Sequence, residues 1–435
     1  MALVQRSAAG EPGGTRAGPE SDLQQARARV VQARAALRSA NAQLLPAGQV
    51  SGQASEAYQS LQTPQGRIAS ALPGFEREGQ GYELNLGVSW ELDLFGGKDA
   101  ARDAARADWQ ASAAAAAAAR LTVAAQTADT YIAIRGLQAR LEVARGQQAV
   151  QQQLVDLVAL QYRKGVAAER QLRQAEGALA QVKASVPELE QNRDSAMNAL
   201  DVLLGLQPGS TRSELAAAAP IPVPPAVSSA GGPAGLLRRR PDIIAAERTL
   251  AASNARIGVA ISEYYPKFSL SGLLGTATMG IGGLFSGGAT QAAGVLGLRW
   301  RLFDFGRVDA EVAAARGRNT EALAAYRLTV LRASEDVENA FSGLVKQQAR
   351  AQILAEGGAS LTSARTASFA AYKGGVASLL DVLDADRRLL ENRDAEIQAR
   401  TAAAGAAVAS FRALGGGWDA PAASGQASQS AATGS

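Results

Sequence analysis

The sequence repeats itself at a constant offset over most of its 435 residues. The offset is 210 residues, the separation of Trp90 from Trp300. The register returns much later, where the run from Tyr162 to Ala167 (YRKGVA) matches the run from Tyr372 to Ala377 (YKGGVA). Repetition at a fixed spacing indicates that each half builds the same supersecondary unit. Any fold assigned to this chain must therefore contain two copies of one unit.

Proline positions divide each copy into regions. Proline is excluded from helix interiors and central strands because it lacks an N–H and has a fixed φ. Only Pro187 lies between Lys98 and Leu206, and none lies between Lys267 and Asp419. Both tracts are rich in strong helix formers, which predicts very long helices that fold back as antiparallel coiled coils. Six prolines between Pro208 and Pro233 indicate a linker.

The repeat and the prolines together predict the domain organisation. We expect a first repeat at 20–206, with a β-hairpin near 48–95 and a long helical hairpin at 98–206; an equatorial linker at 207–237; and a second repeat at 238–418, with a β-hairpin near 267–305 and a helical hairpin at 307–414. Residues 1–19 contain no apolar stretch typical of a signal peptide, so we expect a disordered or mis-started N-terminus there. The small polar residues of 419–435 predict a disordered tail.

The strand segments constrain the assembly. After Pro46 and Pro266 the hydrophobic pattern changes from helical to alternating, which predicts four strands per chain. The smallest bacterial transmembrane barrel has about eight strands, so one chain cannot close a barrel. Three copies of four strands make twelve, enough to enclose a lumen. The predicted fold class is therefore mainly α with transmembrane β, built as a trimer.

Composition removes most familiar kinds of site. The chain has no His and no Cys, which excludes imidazole and thiolate metal sites, Ser-His-Asp triads, Cys nucleophiles and disulfides, so we predict no metal and no cofactor. Its 44 basic and 40 acidic residues are interspersed, which disfavours nucleic-acid binding. An enzyme that uses the paired carboxylates of Asp381 and Asp384 is disfavoured, because no pocket-forming segment accompanies them.

Four segments carry a resemblance to a known family. They are LRRRPDIIAAERTLAASNARIGVAISEYYPKFSLSG (Leu237 to Gly272), WRLFDFGR (Trp300 to Arg307), YKGGVASLLDVLDADRRLL (Tyr372 to Leu390) and ALGGGW (Ala413 to Trp418). In these segments the chain resembles the outer-membrane factors of tripartite, RND-type drug efflux systems, which form the TolC-like superfamily, and in particular its NodT-type lipoprotein branch. The resemblance extends from about residue 20 to residue 418.

The resemblance implies an architecture and a function. It implies a homotrimer with a 12-stranded barrel in the outer-membrane lipid of a Gram-negative bacterium, continuous with a periplasmic α-helical barrel. Such a channel passively exports drugs or other small molecules delivered by an inner-membrane RND-type pump through a periplasmic adaptor (membrane fusion) protein. Members of this branch usually carry a signal peptide and an acylated Cys, and neither is visible here, which favours a truncated or mis-started reading frame.

Two related turns are candidate docking sites for the adaptor. Each follows a long helical tract and combines cations with a glycine that can cap a helix. Small residues there would let a partner approach closely. The predicted docking residues are Arg163, Lys164, Gly165, Val166 and Ala167 of the first repeat and Lys373, Gly374, Gly375, Val376 and Ala377 of the second.

Asp381 and Asp384 are the candidate gate. They lie three residues apart on a helix and share one face, and this spacing alone favours a solvated acidic face over a gate. The resemblance implies that this position lines the periplasmic constriction, with Leu380 as an adjacent apolar ring. Only the second repeat carries these acids, because the first has Gln171 and Gln174 at the matching positions.

Aromatic residues bracket the predicted strands. A girdle at the membrane interface accounts for them, and packing in a core is the alternative. The predicted interface aromatics are Trp90, Phe95, Tyr264, Tyr265, Phe268, Trp300, Phe303 and Phe305. In the LRRRP cluster we expect Pro241 and Asp242 in the first turn of a helix and the arginines in solvent, with a role in subunit contacts as the alternative.

Two other functions remain open at this point. A type I protein secretion channel would share the architecture. A soluble coiled-coil scaffold would account for the long helices and the missing signal peptide, although it leaves the four strands and the repeat unexplained.

Overall fold

The computed structural model of the chain describes residues 19–224 and 239–416. The predicted tail at 419–435, residues 1–18 of the predicted N-terminus, residues 225–237 of the predicted linker and residues 417–418 of the second repeat lie outside the described residues. The elements are α1 (Pro19–Ala42), β1 (Ala47–Tyr58), α2 (Pro64–Ala69), β2 (Glu78–Leu92), α3 (Gly97–Arg163), α4 (Glu169–Leu203), α5 (Arg212–Leu215), α6 (Pro241–Ser262), β3 (Lys267–Thr278), β4 (Thr290–Arg299), α7 (Arg307–Lys373) and α8 (Leu379–Ala413).

The duplication is visible in the helix boundaries. Helices α3 and α7 each contain 67 residues, and α4 and α8 each contain 35. All four boundaries of the second set lie 210 residues after those of the first. We call α3–α4 the first hairpin and α7–α8 the second hairpin. The predicted pair of internal repeats is confirmed.

The strands form one antiparallel sheet in the order β1-β2-β3-β4. Its register places Val50 opposite Leu86, Leu86 opposite Leu274, and Leu270 opposite Leu296. Because side chains alternate along a strand, these aliphatic residues share one face. The opposite face carries polar residues, among them Ser51, Asn85, Ser89, Ser271 and Gln291. The sheet therefore has one apolar and one polar surface, as the alternating pattern predicted.

The chain divides into two compact units. The strand unit comprises Val30–Ser112 and Ala246–Tyr326, and holds the sheet. The hairpin unit comprises the described parts of Met1–Arg29, Ala113–Ala245 and Arg327–Ser435, and holds most of both hairpins. Throughout 19–224 and 239–416, no helix is long and apolar enough to cross a membrane.

The linker begins on the base of the first hairpin. Asp201, which is fully buried, accepts hydrogen bonds from the backbone N–H groups of Gly209 (2.6 Å) and Thr211 (3.0 Å). Gln138 donates to the carbonyl of Leu215 at 2.6 Å, and Leu215 packs with Ile134, Met197 and Leu200. These contacts compensate the buried backbone polar groups of an irregular segment.

The LRRRP cluster contains a correction. Pro241 is the first residue of α6, as expected, and Arg239 is exposed. Arg240, however, is only 8% exposed, so the expectation that the arginines lie in solvent is wrong for this residue. Its guanidinium can be buried because two backbone carbonyls and the carboxylate of Asp336, all distant in the sequence, and the carboxylate of the nearby Asp242 accept its hydrogen bonds.

Candidate functional site

The turn between α3 and α4 is a Schellman motif. The N–H of Gly165 donates to the carbonyl of Tyr162 (2.9 Å), and the N–H of Val166 donates to the carbonyl of Gln161 (2.9 Å). Gly165 has φ of 72°, the left-handed conformation that favours glycine at this position. Val166 points outward with 77% of its surface exposed. The tip therefore presents an apolar side chain on a rigid, hydrogen-bonded turn.

The turn between α7 and α8 repeats this geometry. The N–H of Gly375 donates to the carbonyl of Tyr372 (3.0 Å), and the N–H of Val376 donates to that of Ala371 (2.9 Å). Gly375 has φ of 74°, and Val376 is 86% exposed. Arg163, Lys164, Lys373 and Gly374 are also exposed, whereas Ala167 and Ala377 are partly buried.

The two tips lie at the same end of the hairpin unit. Leu379 and Val382 of α8 are buried against a cluster of the first hairpin formed by Leu154, Val155, Val158, Ala175 and Leu179. The Tyr372 hydroxyl donates to Oε1 of Gln161 at 2.7 Å, which joins the last turns of α7 and α3. The structure thus brings the two predicted docking turns together.

Asp381 caps the N-terminus of α8. Its carboxylate accepts hydrogen bonds from the Ser378 N–H and the Ser378 hydroxyl, both at 2.8 Å, while Ser378 Oγ accepts from the N–H of Asp381. This reciprocal arrangement is a capping box. The hydrogen bonds from the Ser378 side chain and backbone hold the pKa of Asp381 below its usual range.

Asp384 is paired with arginines of its own helix. It accepts from Nη2 of Arg387 and Nε of Arg388, each at 2.7 Å. The Arg387 hydrogen bond, together with that of Arg388, lowers the pKa of Asp384 against the opposing effect of burial. Leu380 lies beside this pair and is 51% exposed. Both acids are therefore ionised near neutral pH, and both have local partners in the single chain.

The predicted interface aromatics lie at one end of the sheet. The register pairs the end of β2 with the start of β3, and the start of β3 with the end of β4. Tyr264, Phe303 and Phe305 are largely exposed, whereas Phe95 stacks on Tyr265 with ring centroids 4.7 Å apart. Phe268 is partly buried.

The two tryptophans make equivalent contacts in the two repeats. Nε1 of Trp90 donates to the carbonyl of Leu44 at 2.9 Å, and Nε1 of Trp300 donates to that of Tyr264 at 3.0 Å. Each carbonyl lies in the turn that ends the helix before the first strand of its repeat. The rings stay partly exposed, at 36% and 52%, so each combines an anchored polar edge with an apolar surface.

Sequence reasoning missed aromatics at the opposite end of the sheet. Tyr58 ends β1 and is 64% exposed, with the Arg77 guanidinium 4.3 Å from its ring centroid. Phe285, in the connection between β3 and β4, is 82% exposed. A search for aromatics at both ends of each predicted strand would have found them, since girdles occur at both membrane interfaces.

Comparison with known proteins places this chain in a family. The model of the outer membrane efflux protein family matches residues 19–206 and 233–416. The chain belongs to that family. The TolC-like fold and the outer-membrane efflux function predicted from the sequence are thereby confirmed.

Similar members of the outer membrane efflux protein family include OprJ, an outer membrane protein of Pseudomonas aeruginosa, which is 33% identical over 78% of this chain and 71% of OprJ. OpmQ of Pseudomonas putida, named as a pyoverdine export outer membrane protein, is 33% identical over 92% of this chain and 84% of OpmQ. Among solved structures, the outer-membrane channel OprN superposes with a TM-score of 0.85 at 32% identity, covering 96% of this chain and 90% of OprN.

Membership of this family establishes where the protein is located and which fold it has. The chain is an outer-membrane protein, and its mainly helical fold with one four-stranded sheet matches that of the family's channels.

Proposed function

We propose that three copies of this chain form the outer-membrane channel of a tripartite efflux pump, a passive conduit for small molecules. The observation that carries the proposal is the four-stranded sheet with one apolar face, which is too small to close alone. Three sheets joined edge to edge, β4 to β1, make a twelve-stranded barrel with its apolar face toward lipid. The polar face then lines a water-filled lumen. We assign the protein no catalytic role.

Six turns would face the periplasmic adaptor. Each subunit supplies two Schellman turns with the same backbone geometry, so the trimer presents six at one end. The exposed side chains of Val166 and Val376 offer small apolar contacts, with Arg163, Lys164 and Lys373 beside them. An adaptor that passes substrate from an inner-membrane RND-type pump would dock on this rim.

The start of α8 would form the gate. Threefold symmetry turns Leu380, Asp381 and Asp384 into rings, each with three members. The lowered pKa of each acid keeps the rings charged at neutral pH, and rings of carboxylates attract cations. The closed channel should therefore prefer cations and bind multivalent ones.

Aromatics at the two ends of the sheet would mark the two membrane interfaces. Trp90, Trp300 and their neighbours form the girdle nearer the hairpins along the chain, and Tyr58 and Phe285 form the distal one. Tryptophan and tyrosine suit such positions because one edge is apolar and the other can hydrogen-bond.

Purification in detergent and reconstitution in planar bilayers test the proposal. We expect a trimeric mass and discrete cation-preferring conductance steps. A monodisperse monomer with native β-sheet content would contradict the architecture. A stable trimer that never conducts would contradict the channel function.

A further inference from the structure

Arg240 joins the start of α6 to both helices of the second hairpin. It precedes α6, and its Nη1 donates to the carbonyls of Ala333 on α7 (3.3 Å) and Ala413 on α8 (3.2 Å). Its Nη2 donates to Oδ2 of Asp336 on α7 (2.9 Å) and Oδ2 of Asp242 on α6 (2.7 Å), and its Nε donates to Oδ1 of Asp242 (3.1 Å). One buried cation thus connects the base of both helices of the second hairpin with the start of α6.

The chain around Arg240 packs closely on the end of α8. Ala413 is the last residue of that helix, and its carbonyl belongs to the group that has no partner within the helix. A cation is favourable at this negative end of the helix dipole. Gly415 has φ of 67°, and a Cβ on it would lie 3.1 Å from the carbonyl oxygen of Arg239. The contact therefore requires a residue without a side chain at this position.

The charges around Arg240 are compatible with a permanent clamp. Burial alone would raise the pKa of Asp242, but the hydrogen bond and charge of Arg240 lower it overall. Arginine stays protonated at all physiological pH values. The buried cation is therefore compensated, which removes most of the cost of desolvating it.

Contacts with the linker, through Asp201 and Arg135, hold the base of the first hairpin. Among the described residues no cation there joins the counterparts of Asp336 and Ala413. Gln126 and Leu203, the counterparts of Asp336 and Ala413, border an open groove of about 470 Å³ instead. The described residues that line this groove are Gln126, Thr130, Asn198, Ala199, Val202, Leu203 and Pro208, and none is a cation. Arg240 thus distinguishes the hairpin that carries the gate candidates from the one that does not.

The clamp lies at one end of a long lever. Helix α8 has 35 residues, with the clamp at its last residue and the gate candidates in its first two turns, a separation of about 50 Å at a rise of about 1.5 Å per residue. A tilt of about 5° at the base would then move the far end by about 4 Å, given this rise. A small change in the tilt of α8 at Arg240 would therefore become a large displacement at Asp381.

We propose that Arg240 is a positioning residue for the gate, and that it clamps the base of the second hairpin so that Leu380, Asp381 and Asp384 converge in the closed channel. This inference rests on the proposed channel function. The hydrogen bonds of Arg240 fix α6, α7 and α8 together, so loss of the clamp populates open arrangements at the far end of α8.

Planar-bilayer recording of two Arg240 variants tests this inference. Arg240→Met keeps length and removes every donor, whereas Arg240→Lys keeps the charge but supplies fewer donors in a different geometry. We expect Arg240→Met to raise the open population by roughly 5- to 150-fold, the usual range for coupling between distant sites. Arg240→Lys should lie between Arg240→Met and wild type.

Two matched substitutions, at positions 210 residues apart, control for a nonspecific loss of stability. Asp336→Ala removes one partner of the clamp, and Gln126→Ala changes the equivalent position of the first hairpin. We expect the first to raise the open population and the second to leave it unchanged. Because Asp336 is half exposed, its substitution should leave the trimer intact even if Arg240→Met prevents assembly.

Combining Arg240→Met with substitutions that open the gate distinguishes a positioning role of Arg240 from a general effect on stability. If Arg240 acts through the gate, Arg240→Met adds nothing in the background of Asp381→Asn with Asp384→Asn. Trimers of Arg240→Met and Asp336→Ala with wild-type conductance, or an effect fully additive with the opened gate, would overturn the inference. Failure of the channel function is distinguishable, because wild-type trimers would then not conduct at all.

Discussion

The two hairpins have the same backbone, but different interactions hold them together. Near the tip, the first hairpin packs Leu154, Val155 and Val158 against α4, all at most 9% exposed. Their counterparts in the second hairpin are Ala364, Arg365 and Ser368. There Arg365 instead donates to the buried carboxylate of Asp386 at 2.9 Å. The helices of the two hairpins therefore have equal lengths but are packed by different interactions.

A similar difference is found at the base of the hairpins. Arg240 clamps the second hairpin there, whereas the first packs Leu215 of the linker with Ile134, Met197 and Leu200, beside the open groove. Apolar burial is worth about 1.5–3 kcal/mol per large side chain, while a buried ion pair roughly breaks even against its desolvation. The first hairpin is thus held by apolar clusters near its tip and at its base, whereas the second depends more on charged hydrogen bonds, from Arg365 near its tip and from Arg240 at its base.

The largest effect is expected in the apolar core of the first hairpin. Leu154→Ala should destabilise the tip by about 2–5 kcal/mol, since Leu154 is 3% exposed and its removal leaves a cavity. Hydrogen exchange of the amides flanking the turn at Gly165 measures this. Leu160→Ala, at a residue 42% exposed, is the control and should stay within about 0.5 kcal/mol of wild type. Equal protection in the two variants would contradict the assigned core.

The ion pair of the second hairpin gives the next prediction. Arg365→Met should cost about 3 kcal/mol, because it leaves the carboxylate of Asp386 buried and unpaired. Adding Asp386→Leu should recover that loss, since an apolar pair of similar volume is at least as stable as a buried ion pair. A double-mutant cycle by hydrogen exchange in α7 and α8 measures the coupling. Strictly additive losses would show that the two side chains do not interact.

Substitution of the capping glycine by a bulky residue should have the same effect in both turns. Gly165→Trp and Gly375→Trp each force a side chain into the left-handed region, at a cost of about 1–2 kcal/mol. We expect trimers to persist and drug efflux to be lost, because adaptor docking needs close approach at the turn. Gly177→Trp is the control for bulk alone, since this exposed helical glycine has open space around its Cβ position. Wild-type resistance in both turn variants would place docking elsewhere.

The proposed gate acids, Asp381 and Asp384, occur only in the second hairpin, so neutralising them sharpens the comparison. Asp381→Asn with Asp384→Asn should raise single-channel conductance and weaken block by trivalent cations by about tenfold, because a ring of charges concentrates counter-ions. Asparagine keeps an oxygen that can accept from the N–H of Ser378, so the cap of α8 is preserved. Gln171→Glu with Gln174→Glu adds acids at the matching level of the first hairpin. Unchanged selectivity and block in the Asn variant would show that the two acids form only a solvated helix face.

The smallest effect concerns pH. The pKa values of Asp381 and Asp384 are lowered, so cation selectivity should persist as the pH falls from 7 and decline only below about 4, the ordinary range of Asp. Reversal potentials across a salt gradient measure this. Convergence of like charges would raise the pKa values instead. Loss of selectivity near pH 5–6 would show that repulsion within the rings dominates over the bonds to Ser378 and Arg387.

Local patterns in the sequence were enough to predict the strands and the glycine turns, because each depends on residues within a few positions. The repeat was predictable from the constant offset of 210 residues between matching segments. The capping box of Ser378 and Asp381 could also have been predicted from its spacing, but the acids were interpreted only as a gate or as a solvated helix face. The burial of Arg240 was not readable, since its partners Ala333 and Ala413 lie 93 and 173 residues away. The same holds for the contact between α8 and the first hairpin.

The identical backbone of the two turns has a consequence for avidity. A ring of partners around a trimer would contact six turns with the same backbone geometry. Each contact can be weak by itself, because binding of one partner raises the effective concentration of the next. The side chains nevertheless alternate, with Lys164 before the capping glycine in one turn and Gly374 in the other. If the adaptor docks on these turns as proposed, partners would bind at two distinct strengths on one rim, and the ring would assemble in two steps of three.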